Sequence, residues 1–134
     1  MMKDYIQGGD NDHDLFGLIG ALISSKDVHA ELGAPLTSVE GDYWFVHVGT
    51  SGFSNGFAQM RVLANGTAHI RYAYSANAAV RSAVIRAAVA KAKKLEAELV
   101  FTSDRKSDET WPELEFKKQP NKRKGEFVRW ERLL

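Results

Sequence analysis

The sequence predicts an α/β fold built on a mixed β-sheet, and three observations predict it. Three short runs rich in aromatic and β-branched residues follow one another between residues 43 and 74, separated by turn-forming residues, which specifies antiparallel strands. A long stretch with apolar residues at helical spacing leads from the third run to a fourth, and a crossover of that length specifies a parallel pair. With 134 residues the chain can bury one core but not two, so residues 1–134 are read as a single domain.

The elements follow in order. Leu15, Leu18, Ile19, Leu22 and Ile23 recur at helical spacing, with Asp12 or Asp14 available as N-cap and Gly33-Ala34-Pro35 closing the segment, so an N-terminal helix is expected to run to Gly33. YWFVHV, residues 43–48, is the first strand, and GTSGFSNG after it is turn material. The second strand spans about Phe57 to Ala64 and the third Thr67 to about Tyr74. Asn65-Gly66 between them predicts a type I′ hairpin, because both residues tolerate positive φ. Val80, Val84, Ile85, Ala88, Val89, Ala92 and Leu95 mark a long amphipathic helix over 77–95, which Ser75 or Asn77 can cap. AELVFTS, about 97–103, is the parallel strand; a short helix follows, and LEFKK and GEFVRWERL form a terminal hairpin.

Composition narrows the function classes. A chain with 44% hydrophobic and 26% charged residues has ordinary globular composition, and no apolar run approaches the roughly 18 residues of a spanning helix. The amino terminus turns acidic where a secretory signal has its apolar core, so a cytoplasmic protein without membrane attachment is expected. The absence of cysteine excludes disulfides, thiolate metal sites and a cysteine nucleophile. Asp10, Asp12 and Asp14 mimic the start of a calcium loop, but Leu15 stands where the sharp turn needs glycine and Ala21 where a bidentate glutamate is needed, so no metal is expected. The net charge of +1 conceals an asymmetry: residues 1–42 hold eight acidic and two basic side chains, residues 117–132 seven basic and two acidic. The basic 117–129 hairpin, with Lys122, Arg123 and Lys124 at its tip, is either a solvated loop or a surface for phosphate, nucleic acid or a host protein. Trp111, Trp130, Phe116 and Phe127 beside it can stack on bases or pack the hairpin on the sheet.

The element order resembles the GNAT superfamily of acetyl-coenzyme A-dependent N-acetyltransferases over about 43–134, and one stretch carries the resemblance at residue level. Many members have N-x-x-A-x-x-L-Y-E-K-x-G-F after the fifth strand. Asp104 to Phe116 falls on this pattern without a gap, with Trp111 at the tyrosine, Glu115 at the glycine and Phe116 at the phenylalanine. The terminal GEFVRWE also resembles small phage- and prophage-encoded members. The resemblance implies a GNAT-like fold, acetyl-CoA as cofactor and an amine as acceptor. Members bind pyrophosphate through [QR]-x-x-G-x-[GA], whereas the matching stretch here puts Ala76, Ala79 and Arg81 on the three positions and has no glycine. Helix-start amides together with Arg81 still make an anion site, so Tyr74, Asn77, Ala78, Ala79, Val80, Arg81, Ser82 and Trp111 are the expected cofactor-binding residues.

The second departure concerns acid catalysis. The motif tyrosine often protonates the departing thiolate, and the indole of Trp111 cannot. Either Tyr72 or Tyr74 would then be the acid or the thiolate would leave with help from water, with Asp104 or Glu113 as a ligand for the acceptor amine and His47 or His69 as a base. Strict alternation puts His69, Arg71 and Ala73 on one face of the third strand and Ile70, Tyr72 and Tyr74 on the other. The alternative is a catalytically silent GNAT-like domain that binds a protein or nucleic acid, as a phage effector or regulator would.

Overall fold

A computed structural model describes residues 1–120 and 125–134. Its seven-stranded mixed sheet has the order β1-β2-β3-β4-β5-β7-β6, with the strands numbered along the chain. β1 (Met2–Ile6), β2 (Tyr43–Val48), β3 (Ser54–Val62) and β4 (Thr67–Ser75) are successively antiparallel. β4 is parallel to β5 (Leu99–Arg105), and β7 (Phe127–Leu133) lies antiparallel between β5 and the short β6 (Lys117–Lys118). Helices α1 (Asp12–Ile23) and α2 (Lys26–Leu32) cover one face of the β1–β4 half. The long α3 (Ala78–Lys94) and the single-turn α4 (Thr110–Glu113) pack on the opposite face. No helix among the described residues is long and apolar enough to cross a membrane.

The expected order of elements is present, with three corrections. First, β1 exists where no strand was read. Its charged edge residues, half-buried Lys3 and exposed Asp4, precede a single buried side chain, Tyr5, so the alternation that betrays a strand is nearly absent. The Tyr5 hydroxyl donates to Asp14 at the start of α1; burial, then this hydrogen bond to a carboxylate, pushes the phenol up to about 12.

Second, the amino-terminal helix is two helices. Ser24 turns its hydroxyl back to Gly20 O at 2.8 Å, and Ser25 caps α2 by accepting from Val28 N at 3.4 Å. Two serines that compete with the main chain end one helix and start the next. Asn11, rather than Asp12 or Asp14, occupies the N-cap of α1, while Asp12 accepts from Gly8 N. Gly33 does close the segment, in the left-handed conformation with φ 81°.

Third, the β3–β4 turn is not type I′. Only Gly66 has positive φ (80°), and the bonds Gly66 N to Leu63 O and Leu63 N to Thr67 O enclose a three-residue loop with glycine in its left-handed place.

α3 forms as its pattern dictates: Val84, Ile85, Ala88, Val89 and Ala92 are buried, against Met60, Ala68 and Ile70 of the sheet. Each large aliphatic side chain so covered contributes about 1.5–3 kcal/mol. Lys91, Lys93 and Lys94 in the last turn suit the negative end of the helix dipole.

On the sheet face beyond α2, His69 of β4 stacks on Phe101 of β5 at 4.4 Å, and Arg129 of β7 lies over the Phe101 ring at 3.9 Å. Burial, then the charges of Arg71, Arg129 and Arg61, lower the His69 pKa to about 4. An unfolded histidine titrates near 6.5. The stability due to neutral His69 is therefore fully present above about pH 6.5 and is lost as the pH falls towards 4. Because the ring is partly exposed, we expect a loss of only about 1 kcal/mol. His69→Phe should reduce the acid dependence of urea midpoints across that window by this amount; an unchanged slope would show that His69 is not strained by protonation.

Candidate functional site

The site begins with a β-bulge. On β3, Gln59 faces Tyr72 and the next residue, Met60, faces Ile70, so Arg71 is the extra residue on β4. The bulge changes the phase of the strand. Ala68, Ile70 and Ala73 turn towards α3, while His69, Arg71, Tyr72 and Tyr74 all lie on the α1–α2 side. The face assignment expected from strict alternation thus holds through Arg71 and is wrong from Tyr72 onward, because one inserted residue exchanges the faces of everything after it.

The bulge follows directly on the end of the parallel pairing. β4 and β5 pair only over Thr67–His69 and Leu99–Phe101. Beyond that the buried Thr102 donates its hydroxyl to Ile70 O at 2.8 Å, and the strands then part. The gap is a cleft of about 340 Å³ lined by Arg71 to Ser75 of β4, Thr102 to Arg105 of β5, the end of α2, Arg81 and Trp111. Arg105 reaches across to donate to Glu31 O at 2.7 Å, tying β5 to α2 above it.

One wall of the cleft meets the start of α3. Asn77 is the N-cap and accepts from Val80 N at 3.1 Å, while Ser75 Oγ accepts from Asn77 N. Helical geometry leaves the amides of the first turn, Ala78 and Ala79, without an intrahelical acceptor. No residue from 75 to 82 has positive φ, so this turn carries no strain for lack of glycine. The glycine that allows close approach lies across from it on β3: a Cβ on Gly56 would stand 2.7 Å from Val80 Cγ1 and 2.9 Å from Ser75 Cβ.

Arg81 dominates the mouth of the cleft. From α3 it donates through Nε to Ala73 O of β4 at 3.1 Å and through one terminal nitrogen to Asp104 Oδ2 at 2.8 Å, and its other terminal nitrogen forms an ion pair with Asp108 Oδ2 at 2.9 Å. Its guanidinium carbon is 5.4 Å from the centre of the Trp111 ring. Asp104 also accepts from Trp111 Nε1 at 3.0 Å and from Arg105 N at 2.7 Å. Trp111 is 1% exposed and meets Phe116 edge-on at 5.0 Å.

α4 ends with Phe116 N bonded to Trp111 O and with Glu115 in the left-handed conformation, φ 70°. Glu115 is the residue at the glycine position of the quoted motif, so the backbone there does what a glycine would do most easily.

The expected site residues therefore separate into groups. Tyr74, Arg81, Asp104 and Trp111 line one cleft; Tyr72 lines it too, but its hydroxyl accepts from Thr37 N at 3.1 Å. Asn77, Ala78 and Ala79 are exposed at the α3 start, with Val80 and Ser82 half-buried behind them. His47 is bonded to Asn55 Oδ1 at 2.6 Å and Glu113 is exposed on α4; neither they nor His69 line the cleft.

A second polar group supports the α1–α2 side. Buried Asp42 receives a two-point bond from Arg61, at 2.7 and 2.9 Å, and also accepts from Val39 N. Arg71 donates to Thr37 O, Thr37 Oγ1 and Gln59 Oε1. Burial works against the Asp42 carboxylate but is outweighed by the Arg61 hydrogen bond, the Val39 amide and the Arg61 and Arg71 charges, which together lower its pKa. This network pins the segment 34–42 over the bulge. Asp42, Thr37, Gln59 and Asp108 were not singled out in the sequence, where nothing links residues so far apart.

Of the basic hairpin, Lys117 and Lys118 are exposed, while Lys122, Arg123 and Lys124 lie outside the described residues. Trp111, Phe116 and Trp130 are buried, so they pack the core rather than offer stacking surfaces.

No protein-family model matches the chain, and neither does any curated protein. Solved structures do. An acyl-CoA N-acyltransferase from Pseudomonas aeruginosa superposes with a TM-score of 0.76 at 11% identity over 98% of each chain. A GNAT-family acetyltransferase from Staphylococcus aureus gives 0.65 at 7% over 99% of each. N-acetylglutamate synthase from Neisseria gonorrhoeae, solved with coenzyme A and N-acetyl-glutamate, gives 0.61 at 13%; the match covers this whole chain but 35% of that one. The fold is GNAT-like, as the element order implied.

Proposed function

We propose that this chain binds a coenzyme A thioester in the cleft between β4 and β5 and transfers the acyl group to an amine. The observation that carries the reading is the parting of these strands beside the first turn of α3, which puts an elongated gap next to amides that favour an anion. The Ala78 and Ala79 amides and Arg81 would take the pyrophosphate, since Val80 N is already bonded to Asn77. Trp111 would wall the pantetheine arm. The neutral amine attacks the thioester carbonyl, the C–N bond forms and the C–S bond breaks, and the ammonium proton passes to solvent.

Tyr74 would be the phenol that protonates the thiolate, because the Tyr72 hydroxyl accepts from Thr37 N and donates to Pro35 O. Asp104 already accepts three hydrogen bonds and would act by holding Arg81 and Trp111. The P. aeruginosa and N. gonorrhoeae structures support acyl-CoA as the ligand class at the level of fold.

Thermal unfolding with and without acetyl-CoA tests this. A ligand at a hundredfold excess over its Kd should stabilise the domain by about 2.7 kcal/mol, and Tyr74→Phe should keep that shift while lowering turnover against simple amines. No shift at millimolar acetyl-CoA would overturn the reading.

One observation favours a second reading: Arg81 crosses the route a pantetheine arm would take. If that crossing is permanent, the domain is catalytically silent and binds a protein or nucleic-acid partner, and the same melts would show no response to acetyl-CoA.

A further inference from the structure

We propose that Arg81 is a latch across the cleft, which coenzyme A opens by exchanging the Arg81–Asp108 ion pair for its own phosphate. The proposal rests on the coenzyme reading above. Arg81 starts in the first turn of α3 and touches both separated strands, Ala73 O on β4 and Asp104 on β5, so its guanidinium spans the gap they leave. Each of its three nitrogens has a protein acceptor, and the side chain is 16% exposed. Anything threaded between the strands from the α3 end has to move it.

The two carboxylates differ in what they lose when it moves. Asp104 keeps the Trp111 and Arg105 donors, so it stays in place as a fixed post. Asp108 uses Oδ1 to accept from Thr110 N and meets Arg81 through Oδ2 alone. It is 21% exposed, so water can replace the guanidinium there. The Asp108 arm is therefore the one that yields.

A released guanidinium remains beside the Ala78 and Ala79 amides and the positive end of the α3 dipole, where two oxygens of a tetrahedral phosphate can accept from it in the two-point manner of a carboxylate. The closed latch lowers apparent affinity by the fraction of molecules in which it is shut.

Coenzyme A titrated calorimetrically into wild type, Asp108→Asn and Arg81→Ala decides the matter. Asparagine keeps Oδ1 for Thr110 N while removing the charge. Asp108→Asn should bind about fivefold more tightly than wild type, the weight of a partly exposed ion pair. Arg81→Ala should bind more weakly than wild type, having lost the phosphate partner. As a check that needs no variant, the Arg81 Nε–H resonance should be protected from exchange in the ligand-free protein and should move on saturation with coenzyme A.

If wild type binds but Asp108→Asn binds no better and the Nε–H resonance stays still, the latch is overturned and the coenzyme reading survives. If Arg81→Ala alone binds, or binds better than wild type, Arg81 merely obstructs and the exchange is wrong. If none of the three binds, the coenzyme reading fails and takes the latch with it.

Discussion

Trp111→Ala is expected to destabilise the domain by about 3–5 kcal/mol, the usual cost of emptying a large buried aromatic site. The indole is 1% exposed, lies edge-on to Phe116 and under Arg81, and donates to Asp104. Removing it leaves a void beneath α4 and takes one of three donors from a carboxylate that is largely out of water. Trp111→Phe separates the two effects: it keeps most of the apolar volume and loses the N–H, so it should cost nearer 1 kcal/mol from the hydrogen bond plus a smaller packing loss. Urea unfolding of both variants measures the difference. A cost below about 1 kcal/mol for the alanine variant would mean that the cleft wall collapses without penalty and that Trp111 is not its support.

Asp42→Ala should be the next most damaging, at about 2–4 kcal/mol, because it leaves two half-buried arginines without their counter-charge. Arg71 is 15% exposed and Arg61 32%, so Arg61 can turn part of its charge to water while Arg71 cannot, which places the estimate below that for a fully buried pair. The depressed carboxyl pKa gives the matching pH effect: the stabilisation is present above the ordinary carboxylate range and is lost as the pH falls below about 4. Hydrogen exchange should show segment 34–42 opening in the variant before the rest of the sheet, since Thr37 and Val39 lose the network that holds them. Uniform protection across that segment would show that Leu36 and its apolar neighbours hold it unaided.

If both expectations hold, the cleft is supported from its two sides by different means. On the α3–α4 side a buried indole and Arg81 share one carboxylate. On the α1–α2 side a polar network fastens a loop to the strand at its bulge, and Tyr72 is part of that fastening through Thr37. This division holds the Tyr72 hydroxyl between Thr37 N and Pro35 O, while Tyr74 lines the cleft.

Much of the architecture was legible in the sequence because it depends on short-range patterns. Apolar spacing located α3, and β-branched and aromatic runs located β2 to β5; Glu115, which the match from Asp104 to Phe116 puts at the motif's glycine position, has a left-handed backbone that the match did not foretell. Asn77 was among the residues named as able to cap α3, and it does so. Where the reading failed, a local signal was ambiguous: Ser24 and Ser25 divide a helix whose apolar spacing continues through them, and β1 hides its period behind Lys3 and Asp4.

What the sequence by itself determined is the order and type of the main elements, since helical and strand periodicities are properties of adjacent residues. What only the tertiary structure decided is which side chains meet. The bulge at Arg71 adds one residue to β4, and because side chains alternate with a period of two, it carries Tyr72 and Tyr74 to the α1–α2 face and Ala73 to the α3 face. The meeting of Arg81 with Asp104 and Asp108, more than twenty residues further along, follows from α3 returning the chain to β5 beside β4. An arginine in a helical pattern reads as a solvated charge. It becomes the bar across a cleft only because two strands part beneath it and a neighbouring tryptophan excludes water from one side.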